Sequence, residues 1–395
     1  MKNSLLAALI VFTLFFTIAS AQESPTPATL MQLGKLTAST TTSQFALTMS
    51  ASGNTLLVGL TDVFVKPQSG WGNSTESATL APSDGTAIFL AAAVSGNVVA
   101  VSAAETTTNT GDIYIFERPA GGWSGTVTES AILSDSSQGC FGTSIGISGG
   151  TIVAGIGRTG AFSFGNCVFV MPAGGWKNAT QANATLNIPI NVTNTSIPLA
   201  ISGNTIVASV PGNFGSEGTL YVFAKPGAGW SGNLNPTATL IASDAGFNQD
   251  LGEALAISGN TIAATSVDPF TGNNGKVYVF VQPSGGWVDE FETAQLRSPK
   301  GALGFPGSIA ISGNSILVGA SSTTVGFNQL QGSAYVFLKP QSGWKSTSTA
   351  NAELVSSDGQ AGDGFGASVA IGGGNYFCGA PFANTQEGAA YVFGK

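Results

Sequence analysis

Phe223-Ala-Lys-Pro-Gly-Ala-Gly-Trp230 is one of six copies of an octet, Phe-x-x-Pro-x-x-Gly-Trp, and the spacing of these copies decides the fold. The others run from Phe64 to Trp71, Phe116 to Trp123, Phe169 to Trp176, Phe280 to Trp287 and Phe337 to Trp344. Successive copies begin 52, 53, 54, 57 and 57 residues apart, and every tryptophan of the 395-residue chain lies in one of them. A period of this size marks an array of one supersecondary unit.

A second motif recurs between the octets: an apolar run, a Ser-Gly-Asn turn (Ser-Gly-Gly in the third copy) and another apolar run. Its serines are Ser52, Ser95, Ser148, Ser202, Ser258 and Ser312, with Gly372 in the seventh copy. Short β-branched runs joined by Gly-Asn predict a tight hairpin whose turn residues both tolerate positive φ; its strands are termed A and B. The strand entering each octet alternates aromatics, as in Tyr221/Phe223 and Tyr335/Phe337. Residues two apart share one face of a strand, so these rings point together into a packed layer, and this strand is C. In the turn that follows, proline presets φ and glycine supplies the reversal. A short run such as Ala238-Thr-Leu240 or Ala352-Glu-Leu354 then forms strand D.

The strand C phenylalanine, the hairpin and the strand D leucine each occur seven times. The phase of the array is informative: the sequence enters it on a lone D strand ending at Leu36 and reaches Lys395 two residues after Phe393 of the last C strand. A linear stack would expose both partial units as strand edges, an aggregation liability. The predicted fold is therefore all-β, a seven-bladed β-propeller of four-stranded antiparallel blades closed by the N-terminal strand near Leu36.

Residues 1–21 have Lys2, an apolar run from Leu5 to Ile18 and the exit Ala19-Ser20-Ala21, the pattern of a secretory signal. The expected organisation is a signal peptide (1–21), a linker (22–32) and one propeller (33–395), secreted or extracytoplasmic, in the periplasm or at the cell surface. No later segment reads as a membrane span. With 9% charged residues and a net charge of −8, the chain lacks the basic patches that nucleic acid needs. Three cysteines cannot all pair with one another. Cys140 precedes strand A and Cys167 begins strand C at the same end of one blade, with strand B between them, so the geometry permits a disulfide without requiring one, and Cys378 reads as a buried thiol. Sequons stand at Asn73, Asn178, Asn183, Asn191 and Asn194.

Phenylalanines seven residues before the hairpin serine position, Phe45, Phe141, Phe305 and Phe365, complete a pattern. Phe365-Gly-Ala-Ser-Val-Ala-Ile371 followed by Cys378-Gly-Ala-Pro381 resembles the Phe-Gly and Gly-Ala-Pro signature of FG-GAP repeats, the family of the integrin α-subunit propeller. Ile88, Thr195 and Leu251 replace the phenylalanine elsewhere. The resemblance implies a cell-adhesion or recognition role. The family's calcium loop lies between strands A and B, where oxygen-rich cages need several Asp or Asn ligands. Here that connection holds no carboxylate, so neither a metal site nor another cofactor is expected.

Alternating strand direction puts the A–B and C–D turns on one side of the disc and the variable B–C and D–A loops on the other. Function concentrates in variable loops on a rigid scaffold. The candidate ligand-binding face is the variable one, with the acids Asp84, Asp112, Asp135, Asp244, Asp250, Asp268, Asp358 and Asp363. The octet tryptophans, recurring in one register, read as blade packing rather than a sugar platform. Histidine is absent, which removes Ser-His-Asp and Cys-His catalysis. The expected role is non-catalytic recognition or adhesion toward an extracellular protein or glycan. A polysaccharide lyase or hydrolase using paired carboxylates such as Asp244/Asp250 or Asp358/Asp363 is the alternative.

Overall fold

A computed structural model describes residues 29–40, 45–83, 85, 88–104, 111–135, 142–155, 158–159, 162–163, 165–189, 197–212, 217–246, 249–267, 275–298 and 303–395. The chain forms a seven-bladed propeller. Blade four shows the plan: strand A Leu199–Ser202, B Thr205–Val210, C Thr219–Ala224 and D Ala238–Ile241, antiparallel in that order. Tyr221 faces Ala208 and Phe223 faces Ile206 across the B–C ladder, and both rings are buried. The remaining A strands are Met49–Ser52, Ile88–Ser95, Ser144–Ser148, Leu255–Ser258, Ser308–Ser312 and Ser368–Gly372. Each packs beside the next around a central channel, and the last lies beside the first. Strand Met31–Leu36 is outermost in the seventh blade, antiparallel to Ala389–Gly394, with Lys35 opposite Tyr391.

The hairpin turns differ from expectation in one respect. Their first glycine takes φ between 55° and 59°, whereas no hairpin asparagine joins the positive-φ residues. In blades one to six, glycine at the first position alone is the II′ arrangement, whose twist matches the flanking strands, whereas in blade seven Gly374 is also positive, at φ 76°. The octet turns close by a hydrogen bond from the glycine N–H to the proline carbonyl, 2.8 Å for Gly229 to Pro226, with φ of 89° at Gly229. Four blades have the expected four strands, and three are wider by one. Gly125–Val127, Gly232–Leu234 and Glu290–Phe291, each just after an octet tryptophan, pair in parallel with strand D of the preceding blade. Single bridges of the same kind join Leu36 to Ser74, Leu133 to Ala179 and Leu296 to Thr347. The post-tryptophan segments therefore latch blades one to six to their predecessors, each covering a D-strand edge that would otherwise stand open.

Side chains reinforce these latches. The residue two after the tryptophan accepts the middle N–H of the preceding D strand: Asn73 from Lys35 (2.8 Å), Asn178 from Ile132 (2.9 Å), Asp289 from Thr239 (2.7 Å) and Ser346 from Gln295 (3.0 Å). Two sequon asparagines thus cap neighbouring strands. A second clamp lies three residues past the D-strand leucine, where Ser39, Ser83 and Ser243 donate their N–H groups to Glu76, Glu129 and Glu292 of the next blade.

Candidate functional site

The octet tryptophans are 4–8% exposed, buried between blades rather than presented to ligand. The channel, about 270 Å³, is lined by A-strand side chains such as Val94, Ile147, Ile201 and Ile311, with no charged group among them. Neither place offers acid–base chemistry, which leaves the variable loops.

Two of the candidate aspartates occupy one repeated position. Asp244 and Asp358 each follow the D-strand leucine, Leu240 or Leu354, by four residues and receive the hydroxyl of the next blade's strand C tyrosine, Tyr278 at 2.7 Å and Tyr391 at 2.8 Å. Lys276 Nζ lies 2.5 Å from Asp244, and Lys35 Nζ lies 2.6 Å from Asp358. Burial alone would push these carboxyls up, but the lysine and tyrosine hydrogen bonds outweigh it and hold both below the ordinary carboxylate range. Burial and the facing carboxylate push both tyrosine hydroxyls up. These groups staple adjacent blades.

The other aspartates do not gather into one site. Asp363 is buried and accepts the Gln360 N–H at 2.8 Å, and buried Asp135 accepts the Ala182 N–H at 2.9 Å. Asp112 is the half-buried second residue of strand C in blade two. Asp250 sits at φ 45°, and its charge, after burial, pushes the Glu253 carboxyl up. Asp84 and Asp268 lie outside the described residues, as do Phe141 and Cys140. Cys167 is disulfide-bonded, and Cys378 is free and buried, its thiol pushed up by burial. Among the described residues no three Asp, Glu or Cys side chains converge on a point that could hold a metal ion. Among them, too, no helix is long and apolar enough to cross a membrane.

What the acidic pattern missed is an apolar platform on the same face. In the B–C loop of blade six, Val325 and Asn328 exchange backbone hydrogen bonds of 3.1 and 3.0 Å, making a minute hairpin tipped by Gly326 and Phe327. Phe327 is 102% exposed. The neighbouring D–A loop holds this hairpin: Gly362, Gly364 and Phe365 donate to the carbonyls of Gln329, Leu330 and Gln331 at 2.9, 3.1 and 2.7 Å, and Asn328 Nδ2 reaches the Gly359 carbonyl at 3.0 Å. Leu330 is exposed with φ of 57°, a conformation that costs a non-glycine residue about 1–3 kcal/mol and clusters at functional sites. Exposed Leu303 and Phe382 stand in the adjoining loops. The only sequence signal was a phenylalanine in a loop bounded by glycines, too weak to separate from chance.

Residues 349–393 match the FG-GAP repeat family, and the seven-bladed ring is consistent with FG-GAP propellers. No curated protein sequence matches the chain. Among solved structures, a prolyl endopeptidase analysed for the role of inter-domain dynamics in catalysis and specificity is similar, with a TM-score of 0.50 and 12% identity over 85% of this chain and 45% of that one. Prolyl oligopeptidase B from Galerina marginata gives a TM-score of 0.41 at 10% identity (75% and 39% covered). Acylaminoacyl peptidase from Pyrococcus horikoshii gives 0.40 at 11% identity (74% and 43% covered). The chain spans less than half the length of each of these proteins, and the likeness to the first is one of fold alone.

Proposed function

We propose that this chain is a secreted or extracytoplasmic recognition module that binds an extracellular protein or glycan through the B–C and D–A loops of blades six and seven. The observation that carries this reading is Phe327. A fully exposed aromatic ring on a hairpin pinned by hydrogen bonds to the neighbouring loop has already lost most of the freedom that binding would remove. Large rigid aromatics are the residues most often found as interface anchors. The acids of the same loop cluster are already engaged, Asp358 by Tyr391 and Lys35 and Asp363 by the Gln360 N–H, which favours a platform over paired-acid catalysis.

The test uses arrays of glycans and extracellular proteins, probed with the wild-type chain and with Phe327→Ser and Leu330→Ser. Retained stability with lost binding in the variants supports the platform. Binding unaffected by either change would overturn it. Product release from the same polysaccharides, lost on Asp358→Asn or Asp363→Asn, would replace it with the catalytic reading.

A further inference from the structure

At six of the seven junctions between blades, a tryptophan from one blade packs into a slot on its predecessor. Trp287 packs in one cluster with Val207, Val222, Ala238 and Leu240 of blade four, and Trp344 with Ala263, Val279, Ala294 and Leu296 of blade five. The equivalent positions of blade six are Leu317, Val336, Ala352 and Leu354. Among the described residues no octet tryptophan packs against this set.

The structure has a cavity of about 510 Å³ at this junction, lined by Val336, Leu338, Ala352, Tyr376, Lys66 and Lys395 among others. Ala352 is half-buried, whereas its counterparts Ala78, Ala131, Ala184, Ala238 and Ala294 are 1–3% exposed beneath their tryptophans. Tyr376 stands where the other blades have Leu56, Val99, Ile152, Ile206, Ile262 and Ile316, and its hydroxyl reaches Ser315 Oγ at 3.1 Å. The larger ring lines the slot and leaves the cavity open. Strand Ala352–Leu354 is the outermost of its sheet, the place a latch segment takes on other blades.

We propose that this slot binds an extended segment of a partner protein bearing Gly-Trp, with the indole entering against Val336 and Ala352 and the residues after it pairing in parallel with Ala352–Leu354. The molecule supplies the template, since its own Gly-Trp segments do both things at the other junctions. An acceptor two residues after the tryptophan, as with Asn73, Asn178, Asp289 and Ser346, completes the recognised pattern. Main-chain pairing supplies affinity and the aromatic pocket supplies specificity, as in strand addition generally.

A labelled peptide with the sequence of Pro283–Phe291, which performs this role on blade four, is the probe. Fluorescence anisotropy should show saturable binding to the full chain, weakened about tenfold or more when the peptide tryptophan is alanine, as for an anchor leaving its pocket. Ala352→Trp should fill the slot and abolish binding, while Tyr376→Ile, restoring the residue type of the other blades, should retain or tighten it. Should Ala352→Trp fail to fold, a benzophenone at the tryptophan position should cross-link the wild-type chain near Val336. No binding, equal binding of the alanine peptide, cross-links elsewhere, or binding that begins only when residues 22–28 are removed would overturn the proposal.

Discussion

The Oγ of Ser52 accepts the backbone N–H of Gly96 at 2.9 Å, so the hairpin turn of blade one is bonded to that of blade two. The contact recurs from Ser95 to Gly149, Ser148 to Gly203, Ser202 to Gly259 and Ser258 to Gly313, at 2.9–3.1 Å. Where blade seven meets blade one the turns come closer: a Cβ on Gly372 would lie 2.8 Å from the Cβ of Ala51. That contact explains why the seventh copy has glycine in place of serine.

Replacing Ser202 by alanine should cost about 1 kcal/mol, the net worth of one such hydrogen bond. Gly372→Ser, though it restores the repeat pattern, should destabilise by about 1–3 kcal/mol through overpacking. Urea unfolding of both variants checks the contrast, and a neutral Gly372→Ser would show that the seam has room to spare.

Trp230→Ala should destabilise by about 3–5 kcal/mol, because the indole is buried with Val153, Val168, Ala184 and Leu186 of blade three. A sugar platform would lose binding with its fold intact. Thermal unfolding beside glycan binding separates the two.

Asp62 stands in the tyrosine position of blade one, where burial, and then the charge of Glu76, pushes its carboxyl up to about 6. A raised value means that the folded state favours the protonated form. The stability linked to Asp62 is thus complete below the unfolded value near 3.8 and is lost as pH rises through about 6. Discounted for partial exposure, the loss is roughly 1–2 kcal/mol. Asp62→Asn should match wild type near pH 3.5 and be the more stable protein at pH 7.5; denaturant titrations at the two pH values read the difference.

Asp358 behaves in the opposite sense. Its depressed carboxyl stabilises the fold above the ordinary range and loses that contribution as pH falls through the folded value. Since the Lys35 pair is partly exposed, Asp358→Asn should cost only about 0.5 kcal/mol at pH 7, and the gap to wild type should close in acid. A gap that widened in acid would contradict the assignment.

Blade number and strand order were legible because Phe223, Trp230 and their counterparts must recur wherever one blade packs on the next. The latches were not, since Gly232-Asn-Leu234 carries no strand pattern and becomes a strand only against Ala184–Leu186. Nor was the fate of the acids. Asp244 meets Tyr278 across 34 residues of sequence, and a carboxylate bonded to a distant hydroxyl reads in sequence like one facing solvent. Phe327 was hidden for the converse reason, because an exposed aromatic leaves no periodic trace.

On the proposed function, repeated side chains hold the ring and recognition falls to the loops of blades six and seven. Hydrogen–deuterium exchange with and without a ligand captured on the arrays distinguishes the two faces. Protection should gather in residues 323–331 and 356–365, with the octet turns unchanged. Protection confined to those turns would contradict the account.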